Sequence, residues 1–217
     1  MKLIAKKEQP AELQEWIAQF LSMNGRNPTY KDFRGTSEWT NLRAELLSEQ
    51  GYICCYCMAR IEDWSSHIEH FVPRVASKLR PHAIDTQDLE LSYDNMLMSC
   101  NGEHGDGAHC GRCKDCEDSP MLLSPTDPAI EEVFTYGIDG SIDGTSPEAM
   151  TSIRILNLNT LQLRRHRRSA IHMSELFEDT GRSTEDAIFY YGSKDLDGYY
   201  SPFCMSVIYC LKNYPLS

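Results

Sequence analysis

The sequence lacks any long apolar run, any internal repeat and any low-complexity segment. No stretch approaches the roughly 18–20 consecutive apolar residues that cross a bilayer. Its first ten residues, MKLIAKKEQP, contain no apolar segment of the kind that directs secretion. We therefore expect a cytoplasmic globular protein, and 217 residues are enough to bury a sizeable core.

The sequence is also short of positive charge. It has 21 Lys and Arg against 32 Asp and Glu, for a net charge of −11. Affinity for nucleic acid comes largely from Lys and Arg side chains that neutralise phosphates. The composition therefore argues against tight binding of a polyanion by this chain alone. Either the substrate is not a nucleic acid, or a divalent cation and a basic partner supply the missing attraction.

Helical patterns flank a central region of different character. In the first segment, 1–50, apolar spacing predicts helices over 10–23 and 37–50, the second ended by Gly51. In the last segment, 119–217, we expect a hairpin near Asp139-Gly140, helices from Thr151 onward, a helix capped by Ser183 and a final helix over 201–213.

The central segment, 51–118, has no helical period. A short strand is predicted over 68–72, ended by Pro73, and 92–100 forms a loop that leads into an apolar stretch. Residues 101–118 are rich in Gly, Cys and charge, which is typical of chain that is disordered or held by metal. We expect an α+β fold, mostly helical, around this small central core.

The nine cysteines are unusual for a cytoplasmic protein. Seven of them lie between Cys54 and Cys116, and disulfides are rare in a reducing compartment, so metal binding is the favoured interpretation. The other two, Cys204 and Cys210, lie in an apolar stretch, and we expect them to be buried thiols.

A C-x-x-C pair follows the second predicted helix and can direct two thiolates into one tetrahedral site. Several later cysteines could supply the second pair. A site of four thiolates has no open position and is structural. An iron–sulfur cluster and scattered free thiols remain as alternatives. We favour a structural Zn²⁺ bound by Cys54, Cys57, Cys100 and Cys110, with Cys113 and Cys116 as alternates.

A second concentration of reactive groups is His67-Ile68-Glu69-His70. In an extended strand His67 and Glu69 share one face, and His70 points the other way. A carboxylate suits a hard cation such as Mg²⁺, and a neutral imidazole accepts a proton from water near pH 7. A surface His-Glu pair is the plain alternative, which the neighbouring cysteines and Asn95 make less favoured.

The order of these motifs resembles that of HNH endonucleases. The motifs are C54-x-x-C57, H67-I-E-H70-F-V-P, Y93-D-N95-M-L-M-S-C100 and H109-C110. Together with L42-R43-x-x-L46-L47-x-x-Q50, they resemble most the HNH nuclease subunit of Septu-type and retron-associated anti-phage defence. The resemblance covers about residues 1–118; beyond these, only the helical character matches.

This resemblance implies a ββα-metal core and a role for each matching residue. Glu69 would bind the catalytic Mg²⁺ or Mn²⁺, His70 would be the general base, and Asn95 would brace the loop that carries the base. The family's last metal ligand falls on Gly111 or Arg112, neither of which binds a cation through its side chain. We select His109 as the substitute ligand, with His104, Asp106, Asn101 or a water as alternatives.

One basic stretch stands out in an otherwise acidic chain. Within 151–182 there are six Arg and three acidic residues, whereas 51–118 carries six basic and twelve acidic residues. Salt-bridged surface helix is the plain interpretation of the stretch, and phosphate contacts or partner docking are the functional ones. The candidate side chains are Arg164, Arg165, Arg167 and Arg168.

The acidic central segment favours a multi-subunit machine. The resemblance implies an ABC-type ATPase subunit as partner and, in retron systems, a reverse transcriptase with its RNA–DNA product. We therefore expect an HNH endonuclease that hydrolyses phosphodiester bonds, with DNA favoured over RNA or tRNA as substrate. The alternative is a non-catalytic zinc-binding interaction module of a multi-subunit complex.

Overall fold

The structure is a computed structural model that describes residues 1–74, 87–114, 119–178 and 183–214. Within these ranges the architecture is α+β, with short helices and two small antiparallel sheets. The helices are α1 (Ala11–Asn24), α2 (Tyr30–Phe33), α3 (Ser37–Glu49), α4 (Gln87–Glu90), α5 (Gly111–Lys114), α6 (Pro147–Ile155), α7 (Leu161–Glu178), α8 (Thr184–Gly192) and α9 (Cys204–Asn213). The strands are β1 (Ser66–His70), β2 (Met96–Cys100), β3 (Phe134–Tyr136) and β4 (Ile142–Gly144).

The N-terminal helices form because their ends are capped and their apolar faces are covered. Thr36 caps α3 by accepting a hydrogen bond from the Trp39 N–H, and α1 ends at Gly25 in the left-handed conformation. The two helices pack together, and α3 also packs on β2. Leu13 and Leu46 are among the buried residues that join these layers.

Strands β1 and β2 form the antiparallel pair that positions the candidate site. Ser66 lies opposite Cys100 at one end of the pair, and His70 lies opposite Met96 at the other. His67 and Glu69 are two residues apart in β1 and share a face, as the strand period requires. The short helix α5 follows, so this part of the chain runs strand, strand, helix.

Two polar residues of the motif before the cysteines tie α3 to this core. The buried Gln50 amide accepts a hydrogen bond from the Met98 N–H at 2.6 Å and donates to the Met98 and Ile53 carbonyls, both at 2.9 Å. It therefore pairs with β2 much as a neighbouring strand would. Arg43 donates to the Asp63 carboxylate at 2.7 Å, at the turn that leads into β1.

The C-terminal segment joins the hairpin of β3 and β4 to a set of helices in which α9 packs against α7, α8 and β3. Cys204 and Cys210 are buried there, as expected. Gly140 turns the hairpin at φ +81°, where an added Cβ would lie 2.0 Å from the Arg164 carbonyl oxygen. Only glycine fits this close approach of the hairpin to α7.

The four arginines of the basic stretch on α7 differ in their surroundings. Arg167 is 1% exposed and donates to the carbonyl oxygens of Gly140 at 2.7 Å and Leu158 at 2.8 Å. Its assignment to substrate or partner binding was wrong, because it holds the hairpin against α7 from inside. Arg164 pairs with Asp139, and Arg165 and Arg168 are exposed.

Most predicted elements are confirmed, with small shifts in their bounds. The helices predicted over 10–23 and 37–50 are α1 and α3, and the hairpin near Asp139-Gly140 is the β3–β4 turn. The predicted strand over 68–72 begins earlier and ends at His70. In 101–118, predicted to be disordered or held by metal, Gly111–Lys114 forms a short helix, and 115–118 lies outside the described residues. Among the described residues, no helix has the length and apolarity to span a bilayer.

Candidate metal and catalytic site

The four favoured cysteines come together at the Cys100 end of the β1–β2 pair. The sulfur atoms of Cys54, Cys57, Cys100 and Cys110 all lie within 4.8 Å of one another. The Cys57 and Cys100 sulfurs are 3.8 Å apart. Tetrahedral Zn–S bonds of about 2.3 Å place two sulfurs about 3.8 Å apart, so the spacing fits such an ion. Cys113 is exposed, and Cys116 lies outside the described residues.

The cluster is shaped by a tight turn and by two strained residues. The Met58 N–H donates to the Cys54 carbonyl at 3.0 Å, and the Ala59 N–H donates to the Cys57 sulfur at 3.5 Å. Met58 and Cys110 both adopt positive φ values, 63° and 57°, which non-glycine residues seldom do. These turns aim the thiols inward from three separate parts of the chain.

Electrostatics favour a cation among these thiols. Hydrogen bonding within the cluster and burial raise the pKa values of Cys57 and Cys110. Burial also opposes ionisation of Cys54, but hydrogen bonds from neighbouring thiols lower its pKa. Without a metal the cluster therefore concentrates its charge on few sulfurs, and four thiolates need a bound cation to coexist.

His67 and Glu69 lie on one face of β1, near the thiol cluster, and each directs one donor atom toward the same space. The His67 Nε2 and Glu69 Oε2 atoms are 3.5 Å apart. The Asn101 Oδ1 accepts a hydrogen bond from His67 Nδ1 at 3.2 Å, so Nε2 is the nitrogen free to act as ligand. Burial opposes ionisation of the Glu69 carboxylate, but contacts with His67 and Lys114 lower its pKa.

Gly111 leaves this space open. A Cβ at this position would lie 2.6 Å from Glu69 Oε2 and 2.8 Å from His67 Nε2. The carboxylate and imidazole donors, together with the gap beside the glycine, suit a divalent cation that keeps waters or phosphate oxygens as its other ligands. We call the space bounded by His67, Glu69 and Gly111 the Glu69 cradle.

Lys114 is a site residue that the sequence analysis missed. Its side chain is 1% exposed, and its Nζ lies 2.9 Å from Glu69 Oε1 and donates to the His70 carbonyl at 3.1 Å. The Tyr56 hydroxyl also donates to Glu69 Oε1, at 3.2 Å. One carboxylate oxygen is thereby held by the chain, and the other faces the Glu69 cradle. The only sequence signal was a lysine four residues after Cys110, the spacing of one helical turn.

His70 is buried on the opposite face of β1 with a defined tautomer. Its Nε2 lies 3.0 Å from the Glu90 carbonyl, which can only accept, so Nε2 carries the proton and Nδ1 is the basic nitrogen. The ring packs edge-on against Tyr30 with centroids 4.7 Å apart. Burial lowers the pKa of His70 to about 4, so the ring is neutral near pH 7.

Asn95 fixes the chain that follows His70. Its Oδ1 accepts from the Val72 N–H at 2.7 Å, and its Nδ2 donates to the Val72 and Leu89 carbonyls, both at 3.0 Å. Its own carbonyl accepts from the Phe71 N–H at 3.0 Å. These contacts are those of a brace for the segment that carries His70.

The selected substitute ligand, His109, lies beside the thiol cluster. Its Nδ1 is 2.9 Å from the Gly107 carbonyl, and its hydrogen bond with Cys100 outweighs burial and raises its pKa. Among the described contacts, the imidazole brought to Glu69 is that of His67. Of the alternatives, Asn101 contacts His67, His104 is engaged by Arg112 at 3.2 Å, and Asp106 is exposed.

Comparison with known proteins agrees with this chemistry. No protein-family model matches the chain. Over 174 residues the chain is 25% identical to a protein of Vibrio cholerae serotype O1 biovar El Tor that bears the name "Retron Vc95 putative HNH endonuclease". The similarity covers 75% of this chain and 78% of that protein. It supports a nuclease of the HNH class, the class that the sequence motifs resemble.

Proposed function

We propose that this chain is a metal-dependent HNH endonuclease that hydrolyses phosphodiester bonds. The observation that carries the proposal is the placement of a neutral His70, with one free ring nitrogen, next in sequence to a carboxylate that keeps one oxygen open in the Glu69 cradle. A proton acceptor and a cation site on one strand are the two tools that this hydrolysis needs. The similarity to the retron-named protein supports the same class.

Two metal ions have different roles in this proposal. The four thiols would hold a structural Zn²⁺, and Glu69 with His67 would hold Mg²⁺ or Mn²⁺, which would polarise the phosphoryl oxygen and stabilise the leaving oxygen. His67 is preferred to His109 as the second protein ligand because its Nε2 lies 3.5 Å from Glu69 Oε2.

The side chains of the protein then divide the work. His70 Nδ1 takes a proton from the attacking water, and the Glu90 carbonyl keeps the ring in the tautomer that can do so. Lys114 holds Glu69 Oε1 and the His70 carbonyl in fixed positions. Asn95 keeps the following loop in place.

The test is cleavage of plasmid DNA, single-stranded DNA and tRNA with and without Mg²⁺ or Mn²⁺. His70→Ala should lower the rate by about 100-fold or more, the loss expected for a general base, with bound zinc unchanged. Asp94→Asn, at an exposed acidic residue, is a matched control that should cut normally. Metal-independent cutting, or full activity of His70→Ala, would refute the assignment.

We also propose a role in anti-phage defence within a complex. The support is the word "retron" in the name of the similar protein and the resemblance of 1–118 to Septu-type nucleases. An ABC-type ATPase, or a reverse transcriptase with its RNA–DNA product, would supply the basic surface that a chain of net charge −11 lacks. Arg165 and Arg168, both exposed on α7, remain candidates for phosphate or partner contacts.

A non-catalytic zinc module is the second candidate function. It is favoured by the burial of His70, 7% exposed, and by the buried pair of Lys114 and Glu69, which a purely structural site would also have. The cleavage assay separates the two, because a structural module binds zinc and never cuts.

A further inference from the structure

Trp64 is exposed where a tryptophan is normally covered. It is 83% exposed, whereas Trp16 packs against Phe33 with ring centroids 4.8 Å apart and Trp39 donates its Nε1–H to the Tyr30 hydroxyl at 3.1 Å. An indole left in water forfeits the large hydrophobic gain of burial. An exposed indole is therefore available to a ligand that can cover it.

The backbone on both sides of Trp64 is fixed. The Asp63 carboxylate accepts from Arg43 Nε at 2.7 Å, and the Ser65 carbonyl accepts from the Asn101 N–H at 3.2 Å. The Ser65 hydroxyl and Glu62 backbone close the short turn with a 2.8 Å hydrogen bond. The indole is therefore presented on a rigid turn, and a ligand that covers it orders little chain.

Beside Trp64 lies an open groove of about 410 Å³ between this turn, the residues after β2 and the start of α7. We call it the Trp64 groove. Its size falls within the range of small-molecule sites. Hydrogen-bonding side chains line its walls, and Glu103 is the one carboxylate among the lining residues. The polar lining groups are Arg60, Ser65, Asn101, Glu103, His109, Gln162 and His166.

The positively charged side chain that lines this groove, Arg60, is held by neutral partners. Arg60 donates to the carbonyl oxygens of Gly51 at 3.2 Å and Tyr52 at 3.1 Å, and its other terminal nitrogen bonds the Tyr200 carbonyl. Carbonyl partners leave its full positive charge in place. The groove thus offers an aromatic face, amides and imidazoles able to meet a base edge, and a fixed cation.

Two side chains, Asn101 and His67, link the Trp64 groove to the Glu69 cradle. Asn101 lines the groove and accepts from His67 Nδ1 at 3.2 Å, and His67 Nε2 is 3.5 Å from Glu69 Oε2. A ligand seated on the indole therefore lies two side chains away from the candidate catalytic cation. This position suits a part of the substrate next to the bond that is cut.

We propose that the Trp64 groove binds an unpaired nucleobase of a single-stranded nucleic acid beside the cleavage centre. The inference rests on the proposed nuclease function and names its substrate class. Every base has a face that can stack on an indole, but a base inside a duplex is already stacked on its neighbours. The chain is expected to prefer single-stranded or locally opened substrates.

The test measures affinity by fluorescence anisotropy of dye-labelled oligothymidylate, oligouridylate and a DNA duplex at low salt and follows the tryptophan emission of the parent, with no added Mg²⁺ so that cleavage plays no part. Single strands should quench the emission, and the duplex should not. Trp64→Ala should weaken single-strand binding by about tenfold, within the roughly 5- to 150-fold expected for one lost stack. Trp64→Tyr should retain most of the affinity. Phe189→Ala, which removes a 75% exposed aromatic from α8, is the matched control and should bind as the parent does.

The proposal is overturned if Trp64→Ala binds as tightly as the parent, if single strands do not quench, or if the duplex competes equally. Equal quenching by both oligonucleotides assigns the site to unpaired bases in general, and a difference assigns it to DNA or RNA. A chain that cuts with Mg²⁺ while Trp64→Ala binds normally keeps its proposed function and loses this inference. Weaker single-strand binding by Trp64→Ala, in a chain that never cuts, supports the binding site and refutes the nuclease.

Discussion

The thiol cluster and the Glu69 cradle use neighbouring parts of the same pair of strands in opposite ways. The thiol cluster draws four ligand atoms from the chain within 4.8 Å and leaves no position for another group. The Glu69 cradle draws two, from His67 and Glu69, and keeps its remaining space clear with a glycine. A closed set of ligands can only hold the fold together, whereas an open one can accept water and substrate.

The largest effect is expected from substitutions in the thiol cluster. Cys54→Ser with Cys57→Ser should abolish zinc binding and unfold the central segment, because structural zinc contributes about 10–16 kcal/mol, as much as the whole stability of a domain. Elemental analysis and circular dichroism measure both effects. Cys113→Ser, at an exposed cysteine outside the cluster, should lose neither. Full zinc occupancy in the double variant would contradict the assignment.

Substitution of Lys114 tests whether this lysine keeps the Glu69 carboxylate ionised. Lys114→Met removes the buried ammonium that pairs with the Glu69 carboxylate and should lower the free energy of unfolding by about 3–5 kcal/mol. Adding Glu69→Gln removes the unpaired charge and should restore much of that loss, which thermal or urea unfolding of the four proteins in the cycle will measure. Equal and additive losses would mean that the two groups do not interact.

The burial of His70 predicts that the folded protein loses stability in acid. The pKa of His70 is about 4 in the folded protein against about 6.5 when unfolded, so the unfolded chain binds more protons between these values. The free energy of unfolding should therefore fall as the pH drops from about 6.5 to 4, by about 3 kcal/mol from this residue. His70→Gln should flatten that part of the profile. An unchanged slope would show that the ring is not buried as a neutral group.

The smallest effect is expected at Gly111, because a substitution there alters only the open Glu69 cradle and leaves the thiol cluster intact. Gly111→Ala places a methyl group 2.6 Å from Glu69 Oε2 and should lower cleavage by about 100-fold, while zinc content and fold persist. Mn²⁺ binding by paramagnetic relaxation should weaken in parallel. Gly192→Ala, where the new methyl meets Ile208 at 3.8 Å, is the matched control. Normal Mn²⁺ binding in Gly111→Ala would place the cation elsewhere.

The sequence predicted the parts of the site that depend on local rules. The strand period put His67 and Glu69 on one face, and the four cysteines favoured from the sequence are those that the structure brings together. Apolar spacing located α1 and α3.

The parts that were missed depend on contacts between distant residues. Nothing local distinguishes Lys114, which is buried against Glu69, from an ordinary surface lysine. Arg167 shares its helix with exposed arginines and differs only because the β3–β4 hairpin folds over it. The sequence indicated that a metal ligand is missing at Gly111. It could not show that the helix backbone at Gly111 lies beside His67 and Glu69 and closes the cradle that they form.

Ser99 gives the two sites a common part. It lies opposite His67 in the strand pair, its hydroxyl is 3.7 Å from the Cys54 sulfur, and it accepts from the Gly111 N–H at 3.3 Å. Assembly should therefore follow an order, in which zinc seats the helix that carries Gly111 and the cradle is completed afterwards. Under the proposed nuclease function, a newly made chain would not cut until zinc reaches it, and oxidants that expel zinc would abolish cutting by the mature protein.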